Sequence, residues 1–152
     1  MKRYSIILLF MTIWCLTFTQ CKKHATALNI TLYDKDTVTI KKYIEGKWKL
    51  HYYQGGICGS CKFDVENENI GYEFSVNRIK IVSQNNPTVD TTYRFITYKS
   101  GTWDYNHNIL EFYASVVQEH FECSEIKNDT LVLAQPFLNN PDYSEFFLTR
   151  IK

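Results

Sequence analysis

The sequence predicts an all-β domain, a small up-and-down antiparallel β-barrel of about eight strands entered through one short N-terminal helix. Three observations predict it. Aromatic residues make up 16% of the chain, with eleven tyrosines and ten phenylalanines, and flat rings suit a pleated, half-buried surface. From Trp48 onward apolar residues recur at every second position, the period of a strand with one buried face. Clusters of turn residues interrupt that alternation at short intervals, which is the spacing of barrels and sandwiches. A sequential meander closes most simply into a barrel, because closure removes exposed edges. An open sandwich is the competing arrangement.

The elements follow in order. Met1-Lys2-Arg3 gives a positive start and an apolar run extends from Ile6 through Phe18. The run is shorter than the roughly 20 residues of a membrane span and has the length of a signal-peptide core, so residues 1–20 read as a signal peptide. Phe18-Thr19-Gln20 before Cys21 resembles the relaxed lipoboxes of Bacteroidetes-type bacteria. That resemblance implies that Cys21 becomes the first residue, thioether-linked to diacylglycerol and N-acylated with palmitate-type chains. Several acyl chains give a stable anchor, at about 0.8 kcal/mol per buried methylene. Residues 21–36 are polar and without sustained period, and read as a tether. Lys22-Lys23-His24 stands where surface-exported lipoproteins of that group carry acidic residues. The expected location is therefore the outer membrane, facing the periplasm rather than the cell surface.

Residues 37–152 then form the domain, a length suited to a single unit. Val38, Ile40, Tyr43 and Ile44 have helical spacing and Gly46 is a fitting stop. Trp48, Leu50 and Tyr52 alternate with Lys47, Lys49 and His51 as the first strand, which Gln54-Gly55-Gly56 ends. Ile70, Tyr72, Phe74 and Val76 form the second, and Asn77 turns into Ile79-Lys80-Ile81. Asn85-Asn86-Pro87 is a loop. A strand follows from Thr92 to Lys99, broken at Ser100-Gly101. Trp103 opens a short piece and Asn106-His107-Asn108 reads as a turn. Ile109 to Ser115 and Val117 to Glu125 continue the meander. Lys127-Asn128-Asp129 is a hairpin turn into Thr130 to Leu133, and the last strand runs from Tyr143 to Ile151.

Charge excludes one class of partner. Without Lys2 and Arg3, fifteen basic residues face sixteen acidic ones. No basic stripe occurs of the kind that neutralises phosphates, so nucleic acid is not a partner.

Gly46-Lys47-Trp48 opens the first strand after a helix, and Arg150 closes the last. This pairing, with Gly55-Gly56-Ile57 and Asn128-Asp129-Thr130-Leu131-Val132-Leu133, resembles the lipocalins and the lipocalin-like lipoprotein domains of Bacteroidetes. The likeness spans about residues 37–152. It implies that Trp48 packs across the closed end of the barrel with Arg150 over its ring, a contact of about 0.5–2 kcal/mol. It also implies a small hydrophobic or amphipathic ligand at the open end. Tyr72, Phe74, Tyr93, Phe95, Phe112 and Phe121 are candidates to line such a site, or else to fill a solid core. The rival function is an interaction module, a filled barrel whose loops grip another envelope protein as an inhibitor or assembly factor.

Reactive chemistry is sparse. With Cys21 lipidated, Cys58, Cys61 and Cys123 remain in the domain. A thiol redox site needs its first Cys at a helix N-terminus, and no helical spacing follows Cys61. Zinc on Cys58, Cys61, Cys123 and His51 or His120 has suitable ligand types but no second paired spacing. A structural disulfide is the preferred reading, within the loop or from it to Cys123. The longer closure, of about 60 residues, would contribute about 4 kcal/mol in the chain-entropy model. Glu111 and the Glu119-His120 pair could move protons only if they face inward. No phosphate loop, metalloprotease motif or dinucleotide fingerprint occurs. The chain reads as a non-enzyme without cofactor or metal.

Overall fold

The computed structural model describes residues 27–56, 61–99, 104–114, 117–135 and 144–151. The segment expected to be a signal peptide, Cys21, Cys58 and Trp103 lie outside these residues. Ten strands form one antiparallel sheet. They are β1 (Ile30–Thr31), β2 (Gly46–Gly55), β3 (Lys62–Asp64), β4 (Gly71–Ser75), β5 (Arg78–Val82), β6 (Val89–Lys99), β7 (Asp104–Ala114), β8 (Val117–Lys127), β9 (Thr130–Ala134) and β10 (Ser144–Arg150). A single α-helix among the described residues, α1 (Thr37–Ile44), precedes β2. The strands β2-β4-β5-β6-β7-β8-β9-β10 pair in that order and β10 returns to β2, giving a closed eight-stranded barrel. The short β1 and β3 attach to β8 and β2.

Turn chemistry sets the meander. Asn128 and Asp129 both have positive φ, 51° and 60°, which these short polar side chains tolerate and a two-residue hairpin requires. The Asp129 carboxylate accepts from the Leu28 N–H at 3.0 Å, and the Asn29 side chain accepts from the Asn128 N–H at 2.9 Å. These bonds belong to a segment expected to be tether. Its second half is instead part of the fold: β1 pairs with β8, and Leu32 is fully buried in the core. The apolar spacing Leu28, Ile30, Leu32 is a strand alternation inside a polar stretch, too short to stand out by composition.

Helix α1 starts at Asp36, whose carboxylate accepts from the Thr39 N–H and hydroxyl, an N-cap. Ile40 and Ile44 enter the core, whereas Val38, expected on the same face, is 74% exposed. The C-terminal carbonyls of α1 meet the start of β2 and the end of β10. The Trp48 indole donates to the Ile44 carbonyl at 2.6 Å. The Arg150 guanidinium donates to the carbonyls of Tyr43 and Glu45 at 2.6 and 2.8 Å. Arg150 also lies over the Trp48 ring, 4.2 Å from its centroid, and Trp48 is fully buried. Gly46 has φ 121°, and a Cβ there would stand 2.9 Å from an Arg150 nitrogen.

Three irregularities depart from simple alternation. Leu50 pairs with Leu148 but Tyr52 with Phe147, so His51 is an extra residue on β2. Cys123 pairs with Leu133 but Glu125 with Val132, which leaves Ser124 extra on β8. On β7, Asn106 and His107 are extra between the pairs Tyr98–Tyr105 and Thr97–Asn108. The turn expected at Asn106-His107-Asn108 is therefore a bulge within a longer strand, and Ser100-Gly101 lies beyond the described part of that hairpin.

Replacing Trp48 by Ala is expected to cost about 3–5 kcal/mol, the range for emptying a large aromatic site. Gly46→Ala should cost about 1–3 kcal/mol through backbone strain and displacement of Arg150. Urea denaturation measures both, and an unshifted curve for Trp48→Ala would remove the ring from the core.

Candidate functional site

The bulge at His51 decides which aromatic rings enter the barrel. A one-residue insertion moves every later side chain to the opposite face. Trp48 and Leu50 are buried in the core, but beyond His51 it is Tyr53 and not Tyr52 that packs against it. Opposite them on β10 the same holds: Leu148 and Phe146 pack inward, while Phe147 stacks on Tyr52 with centroids 4.4 Å apart. The expected inward Tyr52 is thus corrected to Tyr53. The freed His51 carbonyl accepts from the Val65 N–H, and the His51 ring meets the Thr149 hydroxyl at 2.6 Å.

The result is a run of rings from the core to one end of the barrel. Phe112 and Phe121 are stacked at 5.8 Å, Phe121 meets Phe146 edge-on at 5.3 Å, Phe146 lies 5.9 Å from Tyr53, and Tyr53 stacks on Phe63 at 4.9 Å. Phe112 is buried and Phe63, on β3, is 42% exposed. This end carries the far end of β2, opposite the end sealed by Trp48 and Arg150. Of the six lining candidates, the structure places Phe112 and Phe121 in this run. Tyr53, Phe63 and Phe146 were missed, because alternation counted without the bulge assigns Tyr53 outward.

Tyr72, Phe74, Tyr93 and Phe95 form a second run, with centroids 6.4, 6.2 and 5.8 Å apart along the series. It leads to the sealed end. There Tyr93 and Phe95 border a cleft of about 530 Å³ beside α1, with Thr37, Lys41 and Asn77 on its other side. The Tyr93 hydroxyl donates to the Ser75 carbonyl at 3.1 Å, and the Lys41 ammonium donates to Asn77 at 2.6 Å. The six candidates therefore do not line one space.

Two polar groups face the lumen, Glu119 beside the first run and Tyr72 within the second. Glu119 pairs with buried Phe112 across β7 and β8 and shares the inward phase of Phe121 and Cys123. Burial raises its pKa, with His120 pulling the other way. The Tyr72 hydroxyl is pushed up to about 12 by burial first and by the Glu119 charge second, so the two groups share a local field.

On the outer wall Glu111 is only 4% exposed. Its carboxylate accepts from Arg94 at 2.6 Å, from His120 at 3.2 Å and from the Gln118 amide. Glu111 and His120 face outward, away from the lumen, and Glu119 faces inward, so among the described side chains of this strand pair no acid–His couple is assembled inside. Cys123 is a free, fully buried thiol whose pKa burial pushes up to about 12, so the expected bridge from Cys58 or Cys61 to Cys123 is not formed. The zinc candidates are not gathered either, since His51 and His120 lie on the outer face and Cys123 inside.

Burial alone would raise the Glu111 pKa, but the hydrogen bonds from Arg94, Gln118 and His120 and the Arg94 charge hold it below the ordinary range. A carboxylate depressed by folding stabilises the barrel above its unfolded pKa and loses that contribution as pH falls through its folded value. Glu111→Gln should therefore melt below the parent chain near neutral pH, and the gap should close below about pH 4. A gap independent of pH in thermal melts would assign the loss to packing instead.

A family model described as a lipocalin-like domain matches residues 44–133, from the last residue of α1 through β9. No curated protein and no solved structure matches the chain. The matched residues hold the Gly46–Trp48 opening and most of the barrel wall, and with the closed eight-stranded meander they place this chain in the lipocalin-like domain family.

Proposed function

We propose that this is a lipid-anchored envelope protein whose lipocalin-like barrel binds a small hydrophobic or amphipathic ligand through the end marked by Phe63. The run of rings from Phe112 to Phe63 carries the reading. Aromatic rings offer large apolar surface with few rotamers to freeze, and a continuous path from exposed rim to core suits an entering apolar chain. The protein acts by binding and not by catalysis. The anchor is the acylated Cys21, and the outer membrane, on its periplasmic side, is the proposed location. In that oxidising compartment a Cys58–Cys61 bridge would close the rim turn, with buried Cys123 as the odd thiol.

The rival reading, an inhibitor or assembly factor that grips another envelope protein, is favoured by apolar side chains exposed around the same end: Phe63, Tyr113 and Val117. The two readings separate by titration. N-phenyl-1-naphthylamine, a neutral apolar fluorophore, should bind saturably, and Tyr53→Ala or Phe146→Ala should each weaken it about three- to tenfold, from about 0.5–1.5 kcal/mol per aromatic contact. Absence of saturable binding would leave the rim to a protein partner.

The anchor has its own test. Cells fed radiolabelled palmitate should label this chain, and Cys21→Ser should abolish the label and release the protein from the membrane fraction. Undiminished labelling of Cys21→Ser would refute acylation there.

A further inference from the structure

We infer that Glu119 is the polar anchor of the lumen, and that the ligand is an amphiphile with a cationic amine head and an apolar body lying along Phe112, Phe121 and Phe146. This rests on the ligand-binding reading and narrows it to a substrate class. Glu119 is the partner of Phe112 across β7 and β8 and stands two residues before Phe121 on the inward face. Among the described residues no lysine, arginine or other donor bonds its carboxylate, whereas the outward Glu111 on the paired strand is bonded by three. The Tyr72 hydroxyl on the same inner surface likewise has no protein partner among the described residues, although most of its ring is buried.

No fully buried side-chain N or O atom among the described residues lacks a hydrogen bond. The unbonded oxygens of Glu119 and Tyr72 are therefore not sealed in protein. A lone carboxylate drawn partly out of water favours a counter-charge. The neighbouring Phe112 and Phe121 supply apolar surface for the body of such a ligand. An anionic head would meet repulsion from Glu119, and a neutral alcohol would gain only an uncharged hydrogen bond.

The processed chain, residues 21–152, carrying Cys21→Ser to keep it free of lipid, retains every described residue of the barrel and suits the measurement. Dodecylamine, dodecanol and dodecanoate share one apolar body and differ in the head. Each is titrated against bound N-phenyl-1-naphthylamine. Dodecylamine should displace the fluorophore at about tenfold lower concentration than dodecanol, the scale of one charge-assisted contact, with dodecanoate weakest. Glu119→Gln, close to isosteric, should bring the amine and the alcohol within about twofold while leaving dodecanol unchanged. Equal displacement by all three heads, or an amine preference that survives Glu119→Gln, overturns the assignment to Glu119 and leaves the binding reading standing. Failure of the fluorophore and all three probes to bind overturns both.

Discussion

The closed end of this barrel depends on how one arginine is shared. A helix that ends against a strand leaves its last carbonyls without intrahelical partners. Here the Tyr43 and Glu45 carbonyls are satisfied by Arg150 and the Ile44 carbonyl by the Trp48 indole. The guanidinium thus meets the negative end of α1, a favourable placement for a cation, while its face covers the indole. That geometry leaves no room for a side chain at position 46, whose backbone is already in a conformation suited to glycine. Gly46, Trp48 and Arg150 are accordingly one device, and their energies are not expected to add. Loss of Arg150 would uncover the ring and orphan two carbonyls at once.

Above that seal the bulges act as switches of phase. The two one-residue bulges, at His51 and Ser124, each insert a residue whose carbonyl turns away from the barrel ladder. The His51 carbonyl takes the Val65 N–H and so holds the chain that leads from β3 to β4. The Ser124 carbonyl takes the N–H groups of Leu32 and Tyr33 and so holds the segment before α1. The same insertions invert the faces of the strands beyond them. Without the extra residue at 51, Tyr52 would point inward and Tyr53 out, and the run from Phe121 to Phe63 would be broken at its middle. A local backbone irregularity therefore selects which rings the lumen presents.

This explains what the sequence made legible. The meander and the helix with its glycine stop each leave a local signature in spacing or turn chemistry, so the fold class could be read directly, while the contact of Trp48 with Arg150 came from the resemblance to lipocalins. Asn128-Asp129 announces its turn because few residues accept two successive positive φ values. Bulges leave no comparable mark. His51 is an ordinary polar residue within an alternating run, and nothing in the run tells that the count shifts there. Asn106-His107 has the composition of a turn and is used as one, but inside a strand. The first folded residues, Leu28 to Leu32, escaped for a different reason: their apolar alternation is brief, and only the pairing partner on β8 supplies the context that makes them a strand. Five of the six candidate rings are buried and Phe95 partly so, but their division into two runs follows from topology across the barrel, which spacing along the chain does not encode.

The contrast between Glu111 and Glu119 carries the argument furthest. Both are glutamates on paired strands, and both are substantially withdrawn from water. The outward one is surrounded by donors and its charge is compensated within the protein. The inward one is left among rings, where burial works against its ionised form. A lumen serving only as packing would be more stable with an apolar residue at position 119, since an uncompensated carboxylate beside Phe112 and Phe121 costs free energy that the fold recovers nowhere else among the described residues. Local choices that oppose stability are concentrated where a protein meets something else. Glu119 opposes it at the end of the barrel remote from the Trp48–Arg150 seal, beside the ring path that leads outward. The compensating charge is therefore to be sought in what enters the barrel.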